Sequence, residues 1–406
     1  MNLLTEGIVS GVVIKTELTR KLTIDGITGT YPVYKVRLDM LFYNDQNDRI
    51  ATWISNYKAE NNGTFVNLNN RNEYNNVIEE FIIKSNIEAF NRTKNNIEIV
   101  NQREPGVVLV DGRIIDGNRR FACLRKLALK NDKFNYFETA ILDKDIKNSE
   151  KQIKMLELYI QHGEEGKTEY SPIERLVGIY NDVIKNKLLS VEEYSRATNE
   201  VLSEVKERVE IANLMMEFLD FINAPLQFHI ARDMQIHAPI EALLKLLKKC
   251  STNDEREDLK TCVFTNLLMR SEGDMRQFVN NHIKSIIGSD YQESFIEEQK
   301  EISEKVINLL PPEGQITYKI IRDQIRSIDE IVQELDHSLD KVITKVKKTK
   351  TRNLPIQLIE KATDILEDID FNIIANKLND TELQRIKRQF NKLESIVKEI
   401  RNSLND

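Results

Sequence analysis

The chain has 406 residues, a formal net charge of −7, and a composition that is 40% hydrophobic and 30% charged. That length can bury a large core, and the net negative charge argues against a surface coated for nucleic acid, which turns attention to local basic patches. No stretch approaches eighteen uninterrupted apolar residues, and the opening MNLLTEGIVSGVVIKTEL lacks a basic n-region, so a cytoplasmic location with no membrane span is expected. Cys123, Cys250 and Cys262 show no CxxC spacing and the five histidines lie far apart, so neither a zinc site nor a disulfide framework is expected.

In chain order, GIVSGVVIKTEL and YPVYKVRLDMLFY read as strands, with turns at Gly26 and Gly29. The Asn-rich stretch 61–76 reads as a loop, and a helix is expected over 77–90. Val107–Val110 and Arg113–Ile115 read as a hairpin closed by a two-residue type I′ turn at Asp111-Gly112. It delivers the chain to Gly117.

From Phe121 the apolar residues Phe121, Leu124, Leu127 and Ala128 fall at helical spacing, with Asp116 or Asn118 as the expected N-cap. Arg119 and Arg120 then occupy a first helical turn, where unpaired N–H groups and the positive dipole end disfavour cations. A bound phosphate would resolve the conflict; surface carboxylates are the plainer alternative.

FETAILD reads as a further strand, which closes an α/β unit near residue 150. Residues 151–290 read as successive helices broken at Gly163, Gly166, Pro172, Pro225, Pro239 and Gly288. Residues 291–406 read as two long helices, about 315–348 and 355–403, divided by KKTKTRNLP. The apolar stripe from Ile316 to Val346 predicts a helical hairpin or coiled coil, with a homodimer seam as one use of it.

The stretch DGNRRFACLRKL resembles the Gly-Glu-Arg-Arg phosphate motif of the ParB/sulfiredoxin superfamily, which follows a hairpin and opens a helix. VYKVRLDMLFYNDQNDRIAT is similar to the family's first strand and its Asn-x-Arg end, which places Asn47 and Arg49. LYIQHGEEGKTEYSPIER is similar to the segment that closes the nucleotide site, with Gln161 and the run Ser171-Pro172-Ile173-Glu174 in matching places. NQREPGVVL resembles the base-selecting loop, which adds Gln102 and Glu104.

The resemblance implies an α+β fold: an N-terminal ParB/Srx-like α/β domain followed by an all-α region with long C-terminal helices. It implies a nucleoside triphosphate, CTP or ATP, held by Asp116, Gly117, Asn118, Arg119 and Arg120 together with Asn47, Arg49, Gln102, Glu104 and Gln161. Gly117 would admit the phosphates and the arginines would neutralise them. Asn118 stands where the family has glutamate. Leu158, Tyr159 and His162 stand where partition proteins have Glu-Asn-x-x-Arg, so Mg²⁺ support departs from the family pattern and hydrolysis is expected to be slow or absent. Cys123 lies a turn beyond the cysteine position of the sulfiredoxin branch, which leaves it a packing role.

The same resemblance implies a helix-turn-helix after residue 170. Its recognition helix would carry Glu200, Glu204, Glu207, Glu210, Glu217 and Asp220 against Lys206 and Arg208, which phosphates would repel. The acid-free run 341–352 is the better electrostatic candidate for DNA, through Lys345, Lys347, Lys348, Lys350 and Arg352. The expectation is a nucleotide-gated, DNA-associated switch; a phosphotransferase or nuclease using Asp116 or Glu104 as base, or a scaffold with a decayed pocket, are the alternatives.

Overall fold

The computed structural model describes residues 1–24, 27–143, 146–163, 171–270, 274–370, 374 and 379–404. Its fold is α+β: an N-terminal mixed sheet, then helices. The described strands form one sheet in the order β1 (Val13–Ile24), β2 (Ile27–Arg37), β5 (Tyr136–Leu142), β3 (Gly106–Leu109) and β4 (Ile114–Asp116). Neighbours pair antiparallel except β3 with β5, which run parallel.

Side-chain alternation divides the sheet into two buried faces. Val36, Val108, Ile114, Phe137 and Ile141 point toward α2 (Arg71–Ser85), α3 (Ile87–Val100) and α4 (Asn118–Ala128), where they meet Ile78, Phe90, Phe121 and Leu124. Val107, Leu109, Ile115, Ala140 and Leu142 point the other way, onto Ile153, Leu156 and Ile160 of α5 (Ile146–Gly163). The sheet is therefore the middle of three layers, and α5 covers its second face.

Several local expectations need correction. The hairpin between β3 and β4 exists, but only Gly112 has positive φ (+94°), whereas a type I′ turn needs it at Asp111 as well. Gly112 N–H donates to Leu109 O and Leu109 N–H to Arg113 O, so the loop has three residues with glycine in the bulge position. A methyl group at Gly112 would lie 2.3 Å from Met40 O, so glycine is required there twice over. The helix expected over 77–90 is two helices, because Asn86 leaves the helical region (φ −161°, ψ 86°) and caps α3 by accepting from Ala89 N. Helix α1 (Ala51–Glu60) arises in a region expected to hold strands.

Beyond the sheet, α6 (Pro172–Ile179) opens with a capping box between Ser171 and Glu174 and with Pro172 in its first turn. It is followed by α7 (Val191–Thr198), α8 (Leu202–Phe221), α9 (Phe228–Asp233), α10 (His237–Leu247), α11 (Asn253–Met269) and α12 (Gln292–Ile307). Pro239 does not break the chain; it lies in the first turn of α10, where its missing N–H is tolerated.

The chain divides into two compact units, Met1–Lys341 and Val342–Asp406. The helix expected over 315–348 is interrupted after Ile325, and α13 begins only at Asp329. It then runs to Glu367, through the expected turn at KKTKTRNLP and through Pro355. Lysine and arginine are good helix formers and no glycine interrupts the run; a single proline, at a cost of about 3 kcal/mol, was the only stop signal. The lysine cluster consequently lies along a helix and not at a hairpin tip. In the second unit, Leu366 and Ile369 near the end of α13 and Ile386, Phe390 and Leu393 of α14 (Asp380–Ser403) surround an apolar groove of about 650 Å³.

A candidate anion-binding cavity

Gly117 turns the chain from β4 into α4. Its φ is +103°, and a methyl group there would lie 2.7 Å from Phe137 Cζ and 3.3 Å from the Arg120 guanidinium. Gly117 is itself the N-cap of α4 and supplies no side-chain cap, so neither Asp116 nor Asn118 plays the part expected of it. The reason is geometric: the left-handed glycine swings Asp116 away, and its Oδ2 accepts from Arg20 Nη2 at 2.9 Å and Arg120 Nη2 at 2.8 Å. The first-turn amides of α4 thus have no side-chain acceptor at the cap, which is the arrangement an anion completes. Gly117→Ala is expected to destabilise the fold by roughly 2–4 kcal/mol, through left-handed strain plus the Phe137 collision. Urea titration measures it; a loss under 1 kcal/mol would contradict the geometry.

Asn47, Arg49, Glu104, Asp116, Gly117, Asn118, Arg119 and Arg120, all singled out from the sequence, line one cavity of about 300 Å³. That is the lower end of the range for small-ligand pockets. Its other walls are Ile50, Ile82, Ser85, Thr93 and Ile115, none of them a candidate from the sequence. Asn47 serves locally, its Oδ1 accepting from Arg49 N at 3.0 Å to start the 3-10 turn Asp48–Ile50.

The two arginines at the head of α4 differ. Arg120 is a clamp: Nη1 donates to Glu104 O at 2.7 Å and reaches Glu104 Oε2 at 3.4 Å, while Nη2 holds Asp116. Arg119 is half-buried, and burial first, then the positive charges of Arg49 and Arg92, hold its guanidinium below the usual arginine range. Arg49 and Arg119 therefore meet as like charges in one small cavity, and an anion placed there would relieve Arg119.

Gln102 lies outside the cavity lining. Its Oε1 accepts from Glu138 N at 2.9 Å and its Nε2 donates to Glu138 O at 2.7 Å, so the amide pairs with the backbone of β5. The side chain of Gln161 falls outside the described residues. Glu157, the acid nearest the metal-supporting positions of the resemblance, is buried 3.8 Å from Lys154 Nζ and does not line the cavity.

Glu174 brings α6 toward Arg49. Burial pushes its carboxyl up to about 7, against the pull of the Ser171 hydrogen bonds and of Arg232 and Arg49. A folded value above the unfolded one adds stability that is complete below about pH 4.5 and lost as pH rises through 7. Glu174→Gln keeps an acceptor for the capping box and removes this dependence. Its melting temperature relative to the parent should therefore climb between pH 5 and pH 8, by the equivalent of about 2–3 kcal/mol. A flat difference across that range would refute the assignment.

The basic candidates Lys345, Lys347, Lys348, Lys350 and Arg352 are all exposed along α13. Among the acids of this stretch, Glu200 just before α8 pairs with Arg208, and in α8 Glu210 pairs with Lys248 at 3.0 Å and Glu217 with Lys260 at 2.7 Å. α7 and α8 are joined by a three-residue turn with Asn199 left-handed (φ 56°).

No family model matches the chain, and no curated protein matches it. Among solved structures it is similar to a Pnob8-like ParB-N domain, at 14% identity over 66% of this chain and 97% of that one, with a TM-score of 0.31.

Proposed function

We propose that the chain binds a nucleoside triphosphate, CTP or ATP, through its phosphates at the head of α4, and that the helical remainder answers occupancy by changing its association with DNA or with a second copy. One observation carries the reading: Arg49, Arg119 and Arg120 line a small cavity at a helix N-terminus that has no side-chain cap. The ligand acts as a switch. Asp116, one acid within reach, accepts from two guanidinium groups, which suits an anchor better than a general base. DNA would be met through the phosphate backbone by the exposed basic run of α13, without sequence readout.

A thermal-shift screen against the common nucleotides, with and without Mg²⁺, tests the reading, since a ligand bound only by the folded state raises its melting temperature. Trp53, the chain's single tryptophan, gives a second readout. It lies in α1, four residues after Arg49, with the Arg232 guanidinium 4.3 Å from its ring centre. Failure of every nucleotide to shift either signal would exclude the site.

A further inference from the structure

Next in sequence to Arg49, Asp48 belongs to a buried ion cluster centred on Lys154. Lys154 of α5 is 5% exposed, and its Nζ sits 3.2 and 3.1 Å from the two oxygens of Asp48, 3.3 Å from Asp182 and 3.8 Å from Glu157. It also donates to Gln46 O at 3.4 Å. Burial opposes the charge on Lys154, but Asp48, Glu157 and Asp182 outweigh it and hold the ammonium well above the usual lysine range. The carboxylate of Asp48 is seated against Gly178 of α6, where a methyl group would come within 2.7 Å of Oδ2.

Asp48 and Arg49 are consecutive residues of one 3-10 turn. The first is fixed from α5 and α6, and the second lines the anion cavity. Three residues of a tight turn share one hydrogen-bonded ring, so an anchor on Asp48 restricts where Arg49 can point.

We propose that Lys154 is a positioning residue for the anion cavity: by clamping Asp48 it sets the turn that presents Arg49, and it thereby ties cavity occupancy to α5 and α6. This rests on the triphosphate reading above. Surface ion pairs are too weak and too mobile to hold such a geometry, but a buried ammonium among three carboxylates is not, because removing it strands charge.

The test is a double-mutant cycle on the full chain, with ATP, CTP and inorganic triphosphate as probes and affinity read by calorimetry. Lys154→Met should weaken the best-binding probe by tenfold or more, although Lys154 does not line the cavity. In an Arg49→Gln background the same change should cost less than twofold, because Lys154 acts through Arg49. A general loosening of the fold would weaken binding in both backgrounds. Should Lys154→Met fail to fold, Lys154→Met combined with Asp182→Asn removes the clamp while keeping the cluster's formal charge at its original value, and the cycle is run on that pair. Parental affinity in the Lys154 variant, or additive losses in the cycle, would overturn the proposal. Should the parent bind none of the probes, the triphosphate reading itself fails, which is a separate and distinguishable result.

Discussion

Arg119→Ala should weaken triphosphate binding strongly. The side chain sits among like charges and loses solvation, and an anion in the cavity would relieve both. A charge-assisted phosphate contact contributes about 1.5–3 kcal/mol, which corresponds to a roughly 10- to 150-fold loss of affinity. Arg120→Ala should act on the ligand-free fold. It releases the Glu104 carbonyl and takes a guanidinium donor from Asp116, so its melting temperature should fall, by the equivalent of about 1–3 kcal/mol. Calorimetry and thermal melts of both variants decide the matter. Equal binding by the Arg119 variant, or an unchanged melting temperature in the Arg120 variant, would refute the role given to that arginine.

Shortening the chain should separate its units at Lys341 and not near residue 310. Ile316, Ile321, Ile325, Ile331, Leu335 and Leu339 are buried and belong to the first unit. Losing a buried aliphatic side chain costs about 2–5 kcal/mol, so a chain ending near 310 forfeits more than a typical domain's whole margin of stability, and its helical region should melt or aggregate. A chain ending at Lys341 keeps that core and the cavity, and should bind nucleotide at parental affinity. It should lose salt-sensitive DNA binding, because Lys345, Lys347, Lys348, Lys350 and Arg352 go with the second unit. If DNA binding keeps the same salt slope after truncation at Lys341, the basic run of α13 is not the contact.

The part of the cavity that is legible in the sequence is local. A strand, a glycine and a helix head lie within a dozen residues, and the conflict between two arginines and a helix N-terminus can be read without knowing any tertiary contact. The walls supplied by Ser85 and Thr93, and the charge of Arg92, come from α2 and α3, whose residues look like any amphipathic surface helix. The burial of Lys154, Glu157 and Asp182 is illegible for a related reason: charged residues are usually exposed, and here the tertiary fold brings α5 to Asp48 and to the turn after α6 that carries Asp182. Pro355 misled because a proline normally ends a helix, whereas α13 absorbs it. The α+β class, by contrast, followed from alternating strand patterns early in the chain and their disappearance after β5.

Phe137 lies under two glycines at once. A methyl group at Gly106 would meet its ring at 2.3 Å, and one at Gly117 at 2.7 Å. Shrinking the ring would free neither position, since Gly106 still faces Asp116 O at 2.8 Å and Gly117 keeps a φ of +103°. The constraint therefore runs in one direction. In a set of diverging relatives, position 137 should be able to drift among smaller apolar residues while both glycines stay fixed, and substitution at 106 or 117 should not be rescued by any change at 137. The core side chain under the turn would then carry evolutionary slack, and the hinge that opens α4 would carry none.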